Sequence, residues 1–171
     1  ISTYTDEGVA TADFQNKRCD GVVISTLRAR QFNNYIGSLD SVGSIIDYKQ
    51  MQKVLTTLSS SVFAPKMRHK DYEVVGILPV GAAYAMVGDR KLNSLPKIAG
   101  KKIAVMDFDP SQEVMVQNIG AQPVKVDISS FGGSFNNGKV DVIVAPAILY
   151  EPLELYKGIA PDGVVKGAVI N

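Results

Sequence analysis

The sequence predicts an α/β protein with a parallel sheet covered by helices, on three observations. First, short apolar runs at 103–106, 124–126 and 140–145 alternate with two segments bearing helix start and stop signals, the β-α-β-α-β unit. Second, an aspartate precedes a β-branched run twice: Asp20 ahead of Val22-Val23-Ile24, and Asp141 ahead of Val142-Ile143-Val144. Third, Pro79 and Gly81 interrupt the apolar stretch 76–88, as a crossover between two hinged lobes would.

Residues 1–5 alternate in character and suit an edge strand. Residues 6–16 read as a short helix with Val9, Ala12 and Phe14 as its apolar content, followed by a buried strand over 22–25. Next come polar and aromatic residues including Arg28 and Arg30, whose alternation leaves at least one exposed. Residues 38–43 are small and turn-prone. The longest helical pattern, 45–58, aligns Ile46, Met51, Val54, Leu55 and Leu58 on one face and stops at Ser59-Ser60-Ser61. Strands are expected over 72–78 and 82–87, then a polar connection over 89–96.

In the central stretch, Asp109 before Pro110 is a helix start, and Gln112 stands where a capping box wants it. That helix should turn Val114, Met115 and Ile119 inward and stop at Gly120. A strand over 124–126 follows Pro123, a second helix over 129–137 closes at Gly138, and the strand 140–145 ends at Pro146. Residues 148–156 look helical, and 158–171 trail off in Gly, Pro and Val.

The 171 residues suffice for one large domain or two small lobes. Eighteen basic and 17 acidic residues leave +1 with no basic block, so the sequence carries no electrostatic footprint for nucleic acid or an anionic membrane. The apolar stretch 76–88 is too short to span a bilayer. The chain begins at Ile1 without a visible secretory signal, and the expectation is that its N-terminus was trimmed, cleaved or not included. The single histidine, His69, sits in a polar run that reads as a solvated loop. The single cysteine, Cys19, has no internal partner: it is either a small buried hydrophobe or paired to a thiol upstream of Ile1.

The sequence offers no His-plus-Ser or His-plus-Cys arrangement, no metal-ligand cluster and no dinucleotide fingerprint. Gly132-Gly133-Ser134 lacks the lysine of a phosphate loop and reads as a turn. The expectation is therefore a non-enzyme with no cofactor and no metal. Ligands of open α/β sheets sit beyond the carboxyl ends of strands. That rule selects 25–30, with Ser25, Arg28 and Arg30, in the first half, and 107–111 and 145–150, with Asp107, Pro146 and Tyr150, in the second; Tyr84 is a further ligand candidate. The arginines read as ligand anchors or as a surface ion-pair set. Asp107 and Asp109 could receive a cationic or polyhydroxyl ligand, Asp109 serving also as a cap. The tyrosines could stack on a ligand or simply pack. The helix start at Pro110-Ser111 could hold an anion, against which Asp109 argues.

Several motifs run in the order of a bacterial solute-binding protein family related to the TRAP-type periplasmic binding proteins. They are Cys19-Asp20-Gly21, Thr26-Leu27-Arg28-Ala29-Arg30-Gln31-Phe32-Asn33, Gly37-Ser38-Leu39-Asp40-Ser41-Val42-Gly43, Tyr72-Glu73-Val74-Val75-Gly76-Ile77-Leu78-Pro79 and Ala99-Gly100-Lys101-Lys102-Ile103-Ala104-Val105. The chain resembles that family over nearly its whole length. The resemblance implies a two-lobed, periplasmic-binding-protein type II-like fold, here a fragment. Lobe one would cover 1–80 and be incomplete at its N-terminus, lobe two 81–147, with 148–171 returning toward lobe one. It also implies an exported, periplasmic protein that captures a small ligand in an interlobe cleft for the subunits of a membrane transporter, with no nucleic acid as partner. In that oxidising setting, Cys19 would pair with an upstream cysteine if one exists. Some members carry an aminoglycoside-efflux label, although this chain has no transmembrane helix such as a pump needs. The alternative is an envelope accessory protein without a tight ligand. One departure stands out. TRAP-type proteins hold the ligand carboxylate with an arginine in a Gly-Leu-Lys-Ile-Arg pattern, and that arginine falls on Ala104, whose methyl group cannot form the bidentate fork.

Overall fold

Contacts within the computed structural model divide the chain into two units, one spanning Ile1–Pro79 and one opening at Val80. Residues 1–41 and 43–170 are described. Val42, in the expected turn 38–43, and Asn171, last of the expected tail, lie outside the described residues.

The first unit is mostly short helices set by side-chain caps. Asp6 accepts a hydrogen bond from the Gly8 amide and starts α1 (Glu7–Gln15). This helix buries Ala10 and Thr11, whereas Val9 and Ala12 face solvent; Phe14 meets the Phe32 ring edge-on at 5.6 Å. Then come α2 (Thr26–Ala29), α3 (Asn34–Gly37), a 3-10 turn (Ser38–Asp40), α4 (Tyr48–Leu58), α5 (Ala64–Met67) and the hairpin of β1 (Arg68–His69) with β2 (Tyr72–Glu73). His69 is exposed on β1. Asp47 caps α4 through the Gln50 amide, so Ile46 stays outside the helix and 78% exposed. Ile36, Leu58 and Met67 form the core, with Val54, Phe63, Val74 and Ile77 packed on it.

Three expected strands are corrected here. Residues 1–5 and 22–25 form none, and of 72–78 only the first two residues do. The reason is pairing. A strand needs a neighbour to satisfy its backbone groups, and β1 and β2 pair only with each other among the described residues. Val23 is 89% exposed as a result.

The second unit builds a five-stranded sheet in the order β5-β4-β6-β3-β7. Its elements are β3 (Ala83–Val87), α6 (Leu95–Ile98), β4 (Lys102–Met106), α7 (Pro110–Asn118), β5 (Gln122–Val126), α8 (Phe131–Asn136), β6 (Val142–Pro146), α9 (Tyr156–Ile159) and β7 (Ala168–Ile170). β4 is parallel to both β5 and β6, while β3 runs antiparallel to β6 and β7. Gly120 and Gly138, each at positive φ, end α7 and α8. Pro123 is tolerated because β5 is an edge strand. Asp141 staples the sheet at its start: its carboxylate accepts from the Lys102 amide at 2.8 Å, and its carbonyl accepts from the Gly88 amide at 3.0 Å.

Strand alternation divides the core into two layers. Ile103, Val105, Val87 and Val142 face Val116 of α7. Ala104, Met86, Ile143 and Ala145 face Phe131 and Phe135 of α8, with Leu155 and Ile159. Two details depart from the sequence reading. α7 buries Val116, with Ile119 half-buried, while Val114 and Met115 are exposed. Gln112 does not close a capping box; its side-chain oxygen accepts from the Met106 amide at 3.0 Å. Residues 147–155 form a 3-10 turn and loop rather than a helix. The expected tail instead supplies α9 and β7, so 148–170 belongs to the second unit.

Candidate functional site

The parallel strands β5, β4 and β6 deliver their carboxyl ends to one edge of the sheet. From there the chain leaves β4 toward α7 on one face, and leaves β6 toward Leu149, Tyr150 and Leu153 on the other. β4 and β6 are neighbours, so their exits diverge over a shared gap. This is a topological switch point, where open α/β sheets bind ligands.

Asp107 stands at that edge with an exposed side chain, and its amide donates to the Val126 carbonyl at 3.1 Å. Asp109 is 3% exposed and caps α7, accepting from the Ser111 amide at 3.1 Å, which gives it a structural duty. Pro146 is half-buried at the end of β6, in register with Ala83; Tyr84 is half-buried opposite Ala145. Tyr150 packs on the core, 6.3 Å from the Tyr156 ring. The second-unit candidates Asp107, Tyr84, Pro146 and Tyr150 thus gather at one edge of one sheet.

Asp127 joins them and was missed in the sequence. It follows β5, its carboxylate accepting from the Ser129 hydroxyl and from the Ser130 amide at 2.8 Å. These bonds stabilise the charged form and hold its pKa down to about 2. The available signal was Asp-Ile-Ser-Ser after a strand, an Asx-type turn.

In the first unit, Ser25 caps α2 rather than ending a strand. Its hydroxyl donates to Glu7 at 2.8 Å, and its amide donates to the same carboxylate at 2.7 Å. Its polar groups are therefore used internally. Arg28 and Arg30 are half-buried on and just after α2. Arg30 packs so closely on α3 that a Cβ at Gly37 would sit 2.5 Å from its own Cβ. Cys19 is half-buried and free.

Among the described residues no group of three His, Cys, Asp or Glu is placed to hold a metal. Each unit carries a surface recess. One, of about 150 Å³, is bounded by Leu55, Met67 and Ile77, and the other by Asn136, Tyr156 and Pro161.

A sheet with helices on both faces and a polar switch point is the architecture in which open α/β proteins place ligand sites. The chain belongs to the family described as Solute-binding protein AdeT 1/2, whose model matches residues 1–171. It is 43% identical over 165 residues to the Acinetobacter baumannii protein named "Probable solute-binding protein AdeT1", covering 96% of this chain and 54% of that one. A TRAP periplasmic solute-binding protein from Xanthobacter autotrophicus Py2, solved with bound β-D-galacturonate, superposes with a TM-score of 0.78 at 14% identity, covering 90% of this chain and 51% of that one. A TRAP protein from Desulfovibrio salexigens, solved with orotic acid, gives 0.72 at 14% identity over 89% and 49%. These likenesses show the fold, and the chain spans about half the length of the curated relatives it matches.

Proposed function

We propose that this chain is part of an extracytoplasmic, non-enzymatic solute-binding protein that captures a small polyhydroxyl or cationic solute for a membrane transporter. Each unit corresponds to one lobe. The observation that carries the ligand class is the charge of the carboxyl edge. Asp107 and Asp127 stand there, and the position of the TRAP-type carboxylate arginine holds Ala104, buried in the core. The Xanthobacter and Desulfovibrio proteins bind a sugar acid and orotic acid. Shared architecture supports a small polar cargo, and the missing arginine argues against a simple organic acid. Asp107, Tyr84, Pro146 and Tyr150 are the second unit's contacts in this reading; Ser25, Arg28 and Arg30 are the first unit's candidates.

A thermal-shift and calorimetric screen of the full-length protein against sugars, sugar acids, sugar amines and aminoglycosides tests it. A stoichiometric ligand raises the melting temperature by mass action. Failure of every class to do so refutes capture of a small solute. Tight binding of plain carboxylates alone refutes the ligand class.

A further inference from the structure

The second unit has nine basic and nine acidic residues and no net charge, yet its topology sorts them. Lys101 and Lys102 open β4, and Lys139 precedes β6. Arg90 and Lys91 follow β3, which runs antiparallel, and Lys166 precedes β7. All six lie at the amino edge of the parallel strands, opposite the candidate ligand site. Backbone bonds tie the group together: the Arg90 amide donates to the Lys166 carbonyl at 2.8 Å, and the Asp141 amide to the Lys102 carbonyl at 2.8 Å. Lys97 on α6 joins them, because the Lys101 amide donates to the Ile98 carbonyl at 2.9 Å. These seven cations are exposed, and none of them forms an ion pair among the described residues. Asp89, Asp141 and Asp162 are the carboxylates at this end, two of them engaged by the amides of Lys91 and Lys102. The face spans four adjacent strands, roughly 15 Å at ordinary strand spacing. Because 90–166 is a long stretch of sequence, no basic block shows in the linear chain.

We propose that this amino edge is a peripheral docking face for an anionic phospholipid surface. Two features favour lipid over a protein partner. Six of the seven cations are lysines, which protein interfaces disfavour and which serve as point charges for phosphate. Exposed aliphatic side chains interleave with them: Leu95 is 62% exposed beside Lys97, and Val164 and Val165 are 57% and 58% exposed beside Lys166. Cations mixed with aliphatics suit the headgroup and acyl boundary. No helix among the described residues is long and apolar enough to cross a membrane, so contact here is at the surface. The face would hold the protein near the bilayer with its ligand edge directed away.

The test is co-sedimentation of the full-length protein with vesicles of phosphatidylcholine alone, or of equal parts phosphatidylcholine and phosphatidylglycerol. Binding is expected only to the mixed vesicles, weakening as salt rises. Lys101→Gln, Lys102→Gln and Lys139→Gln should each lower partitioning about fivefold, while Lys49→Gln with Lys53→Gln on α4 should leave it unchanged; circular dichroism verifies folding. Equal binding to both vesicle types, no binding to either, or unchanged partitioning of the edge variants overturns the proposal. So does duplex DNA displacing the vesicles at equal phosphate, which would assign the face to nucleic acid. Ligand affinity measured in parallel keeps this result separate from that of the solute screen.

Discussion

Ala104 tests the packing and the ligand reading together. It is 7% exposed on β4, among Met86, Val126, Phe131, Phe135 and Ile143. Restoring the TRAP-type arginine by Ala104→Arg would therefore thrust a guanidinium into an apolar layer whose members offer no carboxylate. Size and charge can be separated. Ala104→Leu adds volume alone, and overpacking of this kind costs about 1–3 kcal/mol. Ala104→Arg adds an uncompensated buried charge, about 3–5 kcal/mol more. The sum approaches the whole stability of a typical domain, about 5–15 kcal/mol. Urea and thermal unfolding of the full-length variants are the assay, with galacturonate and orotate titrated into each. The expected order is wild type, then Ala104→Leu, then a largely unfolded Ala104→Arg, with no gain of acid binding. An Ala104→Arg protein that melts with wild type and acquires affinity for either acid would refute the placement of residue 104 in the core.

Three further outcomes are expected. Asp127 should titrate near 2 in a carbon-detected NMR experiment, and Ser129→Ala should move it toward its ordinary 3.8. Because the folded value is the lower one, the stability that this carboxylate contributes is complete above 3.8 and is lost as pH falls through about 2. Gly167→Ala should cost about 1–3 kcal/mol of stability and so lower the urea midpoint, since its Cβ would sit 2.1 Å from the Val87 carbonyl oxygen and 3.0 Å from the Ile159 Cα; an unchanged midpoint would sink that packing. If the full-length protein has a cysteine upstream of Ile1, Cys19 should be bonded to it in periplasmic material. Quantitative alkylation of Cys19 in denatured, unreduced protein would show otherwise.

The central β-α-β-α-β unit was legible because its signals are local. Asp109 and Pro110 start a helix, Gly120 and Gly138 end two, and 103–106 is a short apolar run. What failed depends on partners. The echo between Asp20 and Asp141 looked structural in both halves, yet only Asp141 has a strand start to staple. Val114 and Met115 looked inward because apolar residues on a short helix do not reveal which side meets the sheet; the structure chose Val116. At the site, Asp107 and Pro146 followed from the strand-end rule. Asp127 follows a strand as long as β4 and was open to the same rule, whereas Ser25 was claimed by Glu7 from eighteen residues away. The basic edge escaped for the same reason: sheet topology, not sequence distance, brings Lys101, Lys139 and Lys166 together.

That charge sorting bears on the cargo, and Asp107 is where it can be read. The amino edge carries the cations, so the carboxyl edge keeps an excess of carboxylates. Lys125 on β5 is drawn off by Glu113 at 2.9 Å. Asp107 is the exposed carboxylate just after β4, the strand flanking the switch point. If the cargo presents hydroxyls or an ammonium group there, Asp107→Asn removes a charge-assisted hydrogen bond worth about 1.5–3 kcal/mol, roughly a tenfold to hundredfold loss of affinity. If the cargo is an anion, the same change removes repulsion and affinity holds or rises. Isothermal titration of Asp107→Asn with the ligand found in the screen distinguishes the two by sign. For a cationic cargo the wild-type affinity should also weaken with added salt. A ligand that binds Asp107→Asn as tightly as wild type, with no salt dependence, would move the site away from the carboxyl end of β4.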